Sequence, residues 1–332
     1  MTKFAIIGAG SWGTSLAHAL ACLGHKVRLW SYELEVSAII SDRRENSFFL
    51  PGISLPKNIN PTNDIEFALN RAECVLTAMP SHVCCSLYEL MLPHLKENML
   101  FVSATKGFDT ERLMRVSNII HNVLKNKFTP RIVVLSGPSF AREVAIGYPT
   151  ALVAASEDVD SARWVQANFS GKTLRVYTSD DVIGVETGGA VKNVIAIAAG
   201  VIEGLGLGYN PMAALITRGL AETTRLAVAL GARRETLAGL AGMGDLVLTC
   251  TGALSRNRSV GIKLGRGHKL NEILASMREV AEGVKTTYAT VKIARNFGVE
   301  MPISNQVRRI LDGEIPPHYA IRELMDRSLK NE

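Results

Sequence analysis

The segment "GGAVKNVIAIAAG", residues 188–200, places an ammonium where an apolar helix has no local use for one. On a helical path Lys192 has Gly188, Gly189, Ile195 and Ala196 as its three- and four-residue neighbours, and none of them is a carboxylate. A lysine kept short of water has a tunable pKa, which proton transfer to or from a reacting oxygen requires. The bland alternative is a side chain that snorkels to solvent. The small neighbours Gly188, Gly189, Ala196 and Ala199 argue for the first reading, because they are expected to leave clearance for a flat ligand such as a nicotinamide. Asn193, next in sequence, is a candidate substrate contact.

Four more segments carry chemistry. In "IIGAGSWGTSLAHAL", Gly8, Gly10 and Gly13 form G-x-G-x-x-G. The first glycine allows a tight turn, the second a close approach of pyrophosphate to backbone, and the third close helix-to-strand packing. Ser11 and Trp12 would lie beside the phosphates. In "SATKGFD", Lys106 follows an apolar strand, and in "LSGPSFAREV", Gly137 and Ser139 do the same. The carboxyl ends of such strands are where ligands bind, although Ser139 also reads as a helix cap. In "AGMGDLVLTCTGALSRNRSVG", Asp245 follows a glycine-rich turn and could meet Lys192. Ser255, Arg256, Asn257 and Arg258 open a further helix with a serine cap, two arginines and backbone amides, which suits phosphate.

These groups need elements to hold them. Through about residue 180, the apolar runs "KFAIIG", "KVRLW", "CVLTAMP", "MLFVSATKG", "RIVVLSGP", "TALVAAS" and "LRVYTS" alternate with helical patterns, which predicts a mainly parallel sheet covered on both faces. After residue 181 the segments are long and helical, without a strand pattern. The fold class is therefore α/β, a doubly wound Rossmann-type domain at 1–180 followed by an all-α substrate-binding domain at 181–332. After the second strand come Ser31, Tyr32 and Glu33, with Glu33 twenty residues beyond Gly13. Arg28 lies too far inside the strand to clamp a 2′-phosphate, and the sequence leaves NAD versus NADP open.

Composition narrows the class further. A net charge of +6 spread over scattered lysines and arginines, with no basic block interleaved with aromatics, disfavours nucleic acid and suits a small anionic ligand. The five cysteines have no C-x-x-C spacing, which favours reduced thiols in a cytosol over disulfides or zinc, and no metal site is expected. No signal peptide is expected. The stretch most like a membrane span contains Lys192 and Glu203 and reads as a helix buried in protein, so stable membrane insertion is not expected. A homodimer is compatible with a sequence that does not fix oligomeric state.

Taken in order, "IGAGSWGT", "PSHV", "SATKG", "SGPSFA", "GGAVKNVIAIAAG", "ALITRGLAE", "GDLVLTCTGALSRNR" and "AEGVKT" resemble the NAD(P)-dependent glycerol-3-phosphate dehydrogenases of the bacterial type, over nearly the whole chain. The resemblance implies a cytoplasmic oxidoreductase using NAD or NADP. It would interconvert dihydroxyacetone phosphate and sn-glycerol 3-phosphate, the precursor for glycerophospholipid synthesis. Carried over by position, it implies cofactor contacts at Ser11, Trp12, Lys106, Ala141, Arg256, Val280 and Glu282. It places Lys106, Gly137, Ser139, Ala141, Asp245, Ser255, Arg256 and Asn257 around the substrate, with Lys192 as the catalytic lysine. Two rival readings keep the dinucleotide: a hydroxy-acid dehydrogenase, disfavoured by the phosphate-suited "SRNR", and a nucleotide sensor, which needs no acid-base pair.

Overall fold

The computed structural model describes residues 1–277 and 280–329. Among these, β1 (Lys3–Ile7), β2 (Lys26–Trp30), β3 (Ile59–Thr62), β4 (Cys74–Thr77), β5 (Leu100–Ser103), β6 (Arg131–Ser136), β7 (Thr150–Ala155) and β8 (Leu174–Ser179) form one sheet, in the order β3-β2-β1-β4-β5-β6-β7-β8. Between them run α1 (Ser11–Cys22), α2 (Leu34–Arg43), α3 (Ile65–Leu69), α4 (Cys84–Met91), α5 (Val116–Leu124), α6 (Ala141–Ala145) and α7 (Val159–Phe169). The described chain beyond Ser179 is helical: α8 (Val182–Gly204), α9 (Tyr209–Ala229), α10 (Arg234–Ala238), α11 (Asp245–Thr251), α12 (Arg256–Gly265), α13 (Leu270–Ala275), α14 (Glu282–Asn296), α15 (Pro302–Leu311) and α16 (Pro317–Met325). Residues 330–332, at the end of the expected helical domain, lie outside the described residues, as do 278–279.

The sheet is buried on both faces, which is why its strands read as continuous apolar runs. In β1, Phe4 and Ile6 join Leu16 and Leu20 of α1 in one core, while Ala5 and Ile7 join Tyr88 and Phe101 in the other. Six of the seven strand pairings are parallel, and β6 with β7 is antiparallel. The strand order reverses at β1, which lies between β2 and β4, so a crevice opens at their carboxyl ends. One strand departs from the expectation. β3, "INPT", has no apolar run and contains Pro61, yet it pairs with β2. An edge strand tolerates a residue without an N–H, so pairing rather than composition defines it.

The α/β domain followed by a helical one is the architecture expected. Asp181 caps α8 by accepting from the Gly184 amide at 2.8 Å, and its other oxygen accepts from the Arg233 amide at 2.9 Å. The helix is then packed by α9, α11, α12, α14 and α15. Its apolar stretch is 94% buried inside the protein. Glycines set the closest crossing. A Cβ on Gly200 would lie 2.0 Å from the Arg258 carbonyl oxygen of α12, and one on Gly261 would lie 2.0 Å from the Ile197 oxygen of α8. Backbone cannot retreat as a side-chain tip can. Gly261→Val is expected to destabilise the protein by about 3 kcal/mol or more, the upper end for overpacking, seen as a lowered urea midpoint.

Candidate active site

The turn after β1 has the geometry its glycines suggested. Gly8 has φ +113°, and a Cβ there would meet the Ala78 carbonyl oxygen at 2.7 Å. A Cβ on Gly13 would fall 1.8 Å from the Gly8 oxygen, so that residue must be bare for α1 to sit against β1. Gly10 differs, because its Cβ would meet nothing within 4 Å. It is the N-cap of α1 and supplies no side-chain cap, which leaves the positive end of a twelve-residue helix open to an anion. Trp12 adds a buried Nε1–H that has no partner among the described residues. These residues fit the pyrophosphate of a dinucleotide.

The central feature is one carboxylate between two ammoniums. Asp245, at the start of α11, is 1% exposed. Its Oδ2 accepts from Lys106 Nζ at 2.8 Å, and its Oδ1 accepts from Lys192 Nζ. Lys106 reaches it from the loop after β5 and also donates to the Gly137 carbonyl oxygen at 2.9 Å, after β6. Lys192 also donates to Thr249 Oγ1 at 2.9 Å, and that hydroxyl donates to the Asp245 carbonyl oxygen at 2.6 Å. The loops of the sheet and the core of the helical domain therefore meet at one buried group. Lys106 Nζ lies 6.0 Å from the Trp12 ring, which links this centre to the glycine turn.

Burial governs the charge on Lys192. Loss of water pushes its pKa down, Asp245 opposes that shift and Lys106 adds to it, leaving the group at about 7. Desolvation is the largest of these influences, as expected of a lysine kept short of water.

The remaining candidates fall into three places. Ser139 Oγ donates to the Gly137 oxygen at 2.9 Å rather than capping α6, whose N-cap is Phe140. Gly137 itself has φ +135°. Ala141 opens α6, and its carbonyl oxygen accepts from Ser15 of α1 at 2.7 Å. Ser255 caps α12 by accepting from the Arg258 amide at 3.2 Å, and Arg256 is exposed at the first turn. Asn257 donates to Asn193 Oδ1 at 2.9 Å and accepts from the Gly283 amide at 2.9 Å, tying α8, α12 and α14 together. Glu282, with Arg256 among its neighbouring charges, accepts from Ser81 Oγ at 2.9 Å across the domains, and its buried Oε1 has no partner among the described residues. Val280 is exposed ahead of α14. Among the described residues no group of three or more His, Cys, Asp or Glu is placed to hold a metal.

The glycines beside Lys192 require a correction. A Cβ on Gly188 would meet the Ala241 carbonyl oxygen at 2.7 Å, and one on Gly189 would meet Ser136 Oγ at 2.7 Å. Ala196 and Ala199 are fully buried among Ile195, Leu246 and Cys250. Protein fills the space where clearance for a ligand was expected. The small residues let the backbone of 240–244 and the end of β6 close on α8, and so bring Asp245 within reach. Thr249 went unrecognised in the sequence. Its position four residues after Asp245 on a helix, hence on the same face, was the available signal.

Fold and site together define a nicotinamide-dinucleotide-dependent oxidoreductase, built from a Rossmann domain and a helical domain that closes on it. The family model described as NAD-dependent glycerol-3-phosphate dehydrogenase N-terminus matches residues 3–162, and that described as its C-terminus matches 181–322. The chain belongs to the NAD-dependent glycerol-3-phosphate dehydrogenase family. It is 56% identical over 329 residues to a glycerol-3-phosphate dehydrogenase (NAD(P)+) of Koribacter versatilis, covering 98% of both chains. With its counterpart from a Geobacter species, strain M21, it shares 53% over 330 residues, covering 99% of this chain and 98% of the other. Its structure is similar to that of glycerol-3-phosphate dehydrogenase from Coxiella burnetii, with a TM-score of 0.95 at 39% identity, covering 98% of this chain and 99% of that one. The hydroxy-acid and sensor readings give way.

The depressed Lys192 has a thermodynamic signature. Its folded pKa of about 7 lies below the ordinary 10.5, so between those values the unfolded chain holds the extra proton and stability rises with pH. Unfolding free energies of wild type and Lys192→Met, compared from pH 7 to 10.5, are expected to diverge in favour of the wild type as pH rises. A difference flat with pH would mean an ordinary lysine.

Proposed function

We propose that the Lys106–Asp245–Lys192 bridge is the proton-handling centre of the reversible interconversion of dihydroxyacetone phosphate and sn-glycerol 3-phosphate. The buried position of Lys192, with a pKa near neutrality, is the observation that carries the assignment. The reduced nicotinamide, when bound, supplies the hydride that C2 of the ketone accepts. Protonated Lys192 stabilises the negative charge developing on the C2 oxygen and gives it a proton, leaving an alcohol and a neutral amine. In the reverse direction the neutral amine takes that proton back.

Asp245 and Thr249 hold the Lys192 nitrogen in place, and Lys106 keeps Asp245 from neutralising it fully. Gly8, Gly10, Ser11, Trp12 and Gly13 would hold the pyrophosphate, with Lys106, Ala141, Arg256, Val280 and Glu282 completing the cofactor contacts. Gly137, Ser139, Asn193, Ser255, Arg256 and Asn257 would surround the phosphorylated substrate. Arg256 at the N-terminal turn of α12 suits its phosphate, where a guanidinium and a helix dipole act together. In this reading residues 1–180 bind the dinucleotide and 181–332 complete the substrate site. The enzyme works in the cytoplasm without membrane insertion and supplies the glycerophospholipid precursor. A homodimer is the assembly to look for by light scattering.

Lys192→Ala is expected to bind the reduced cofactor normally while turnover falls by about 10²-fold or more, the contribution of a general acid. Loss of absorbance at the reduced-nicotinamide band on adding dihydroxyacetone phosphate measures it, and near-wild-type turnover would end the assignment. Arg256→Ala is expected to raise KM for dihydroxyacetone phosphate far more than for unphosphorylated dihydroxyacetone. Equal effects on both would remove the phosphate from α12.

A further inference from the structure

β3 brings a second segment to the carboxyl end of β2, the place where a dinucleotide in this fold puts its adenosine ribose. The Ser31 amide donates to the Thr62 oxygen at 3.0 Å, and Trp30 Nε1 donates to the Asn63 oxygen at 3.0 Å, so residues 31–37 and 62–69 share one rim. That rim contains Glu33, Glu35, Asp64 and Glu66, all exposed, and neither segment contains a Lys, Arg or His. The nearby cation inside β2 is already committed. Arg28 donates from Nη1 to the Phe67 and Asn70 carbonyl oxygens, each at 2.5 Å, and its guanidinium lies 4.4 Å from the centre of the Phe67 ring.

The turn itself is held in shape. Ser31 is buried, and its hydroxyl donates to the Glu33 carbonyl oxygen at 2.9 Å. Glu33 stands in extended backbone as the N-cap residue of α2, and its side chain makes no cap bond, so the carboxylate is not spent on the helix. A 2′-phosphate there would bring a charge of about −1.5 to −2 to a rim that is already negative, with no arginine to receive it. A ribose 2′-hydroxyl would instead find an acceptor.

We propose that this dehydrogenase selects NADH over NADPH, and that Glu33 is the selecting residue, accepting a hydrogen bond from the adenosine ribose. The proposal rests on the crevice being a dinucleotide site and adds the preference to it. The test is a fluorescence titration of NADH and of NADPH, without substrate, into wild type, Glu33→Gln and Glu33→Arg. Wild type is expected to bind NADH at least about tenfold more tightly, a difference of about 1.4 kcal/mol. Glu33→Gln should narrow that ratio, and Glu33→Arg should shift it toward NADPH by at least tenfold. Equal or tighter NADPH binding by wild type, or a ratio unmoved in Glu33→Arg, overturns the preference and leaves the dinucleotide site standing. Failure of both nucleotides to bind overturns the preference together with the site beneath it.

Discussion

The Asp245 carboxylate carries the arrangement on which the rest of the site depends. One buried anion accepts from a lysine of the sheet domain and from a lysine of the helical domain, so the two domains are joined through a charge that neither could bury alone. Two cations around one anion leave a net positive charge at a buried point whenever Lys192 is protonated. The desolvation that would make such a cluster costly also brings Lys192 to the pKa that proton exchange near neutrality requires. Stability and chemistry are two readings of the same burial.

Much of this was legible in the sequence because it is local. The glycine turn, its strand and its helix lie within a few residues of one another, and Gly8 and Gly13 each meet a steric demand of the kind its position implied. Lys192 stood out because its helical neighbours offered it nothing. Its partners were less accessible, since Lys192 and Asp245 are 53 positions apart and Lys106 and Asp245 are 139 apart. Composition and spacing name candidates over such distances but do not decide which of them touch. β3 was missed for a related reason: its four residues are a strand because β2 pairs with them, and "INPT" carries no period of its own.

The glycines of α8 show how a residue can be identified correctly and explained wrongly. Small residues beside a buried lysine mark a close approach, and the sequence does not say what approaches. Here it is the chain: the Ala241 carbonyl beside Gly188, the Ser136 hydroxyl beside Gly189 and α12 beside Gly200. A short π-helical turn at Leu240–Gly244 makes the first of these contacts and runs straight into Asp245. The helix is therefore a scaffold, packed by protein along the side that carries its lysine.

The separation of Lys106 from Asp245 also orders events while the protein is being made. The sheet is complete in the chain by Ser179 and the glycine turn long before it, whereas Asp245 comes much later. At roughly 5–20 residues per second, several seconds of translation pass between the last strand and the carboxylate. Until then Lys106 has no counter-ion and Lys192 has no acceptor on α11. The bridge is therefore an interaction that only the longer chain can make, and it closes onto a sheet whose strands are already in place in the sequence.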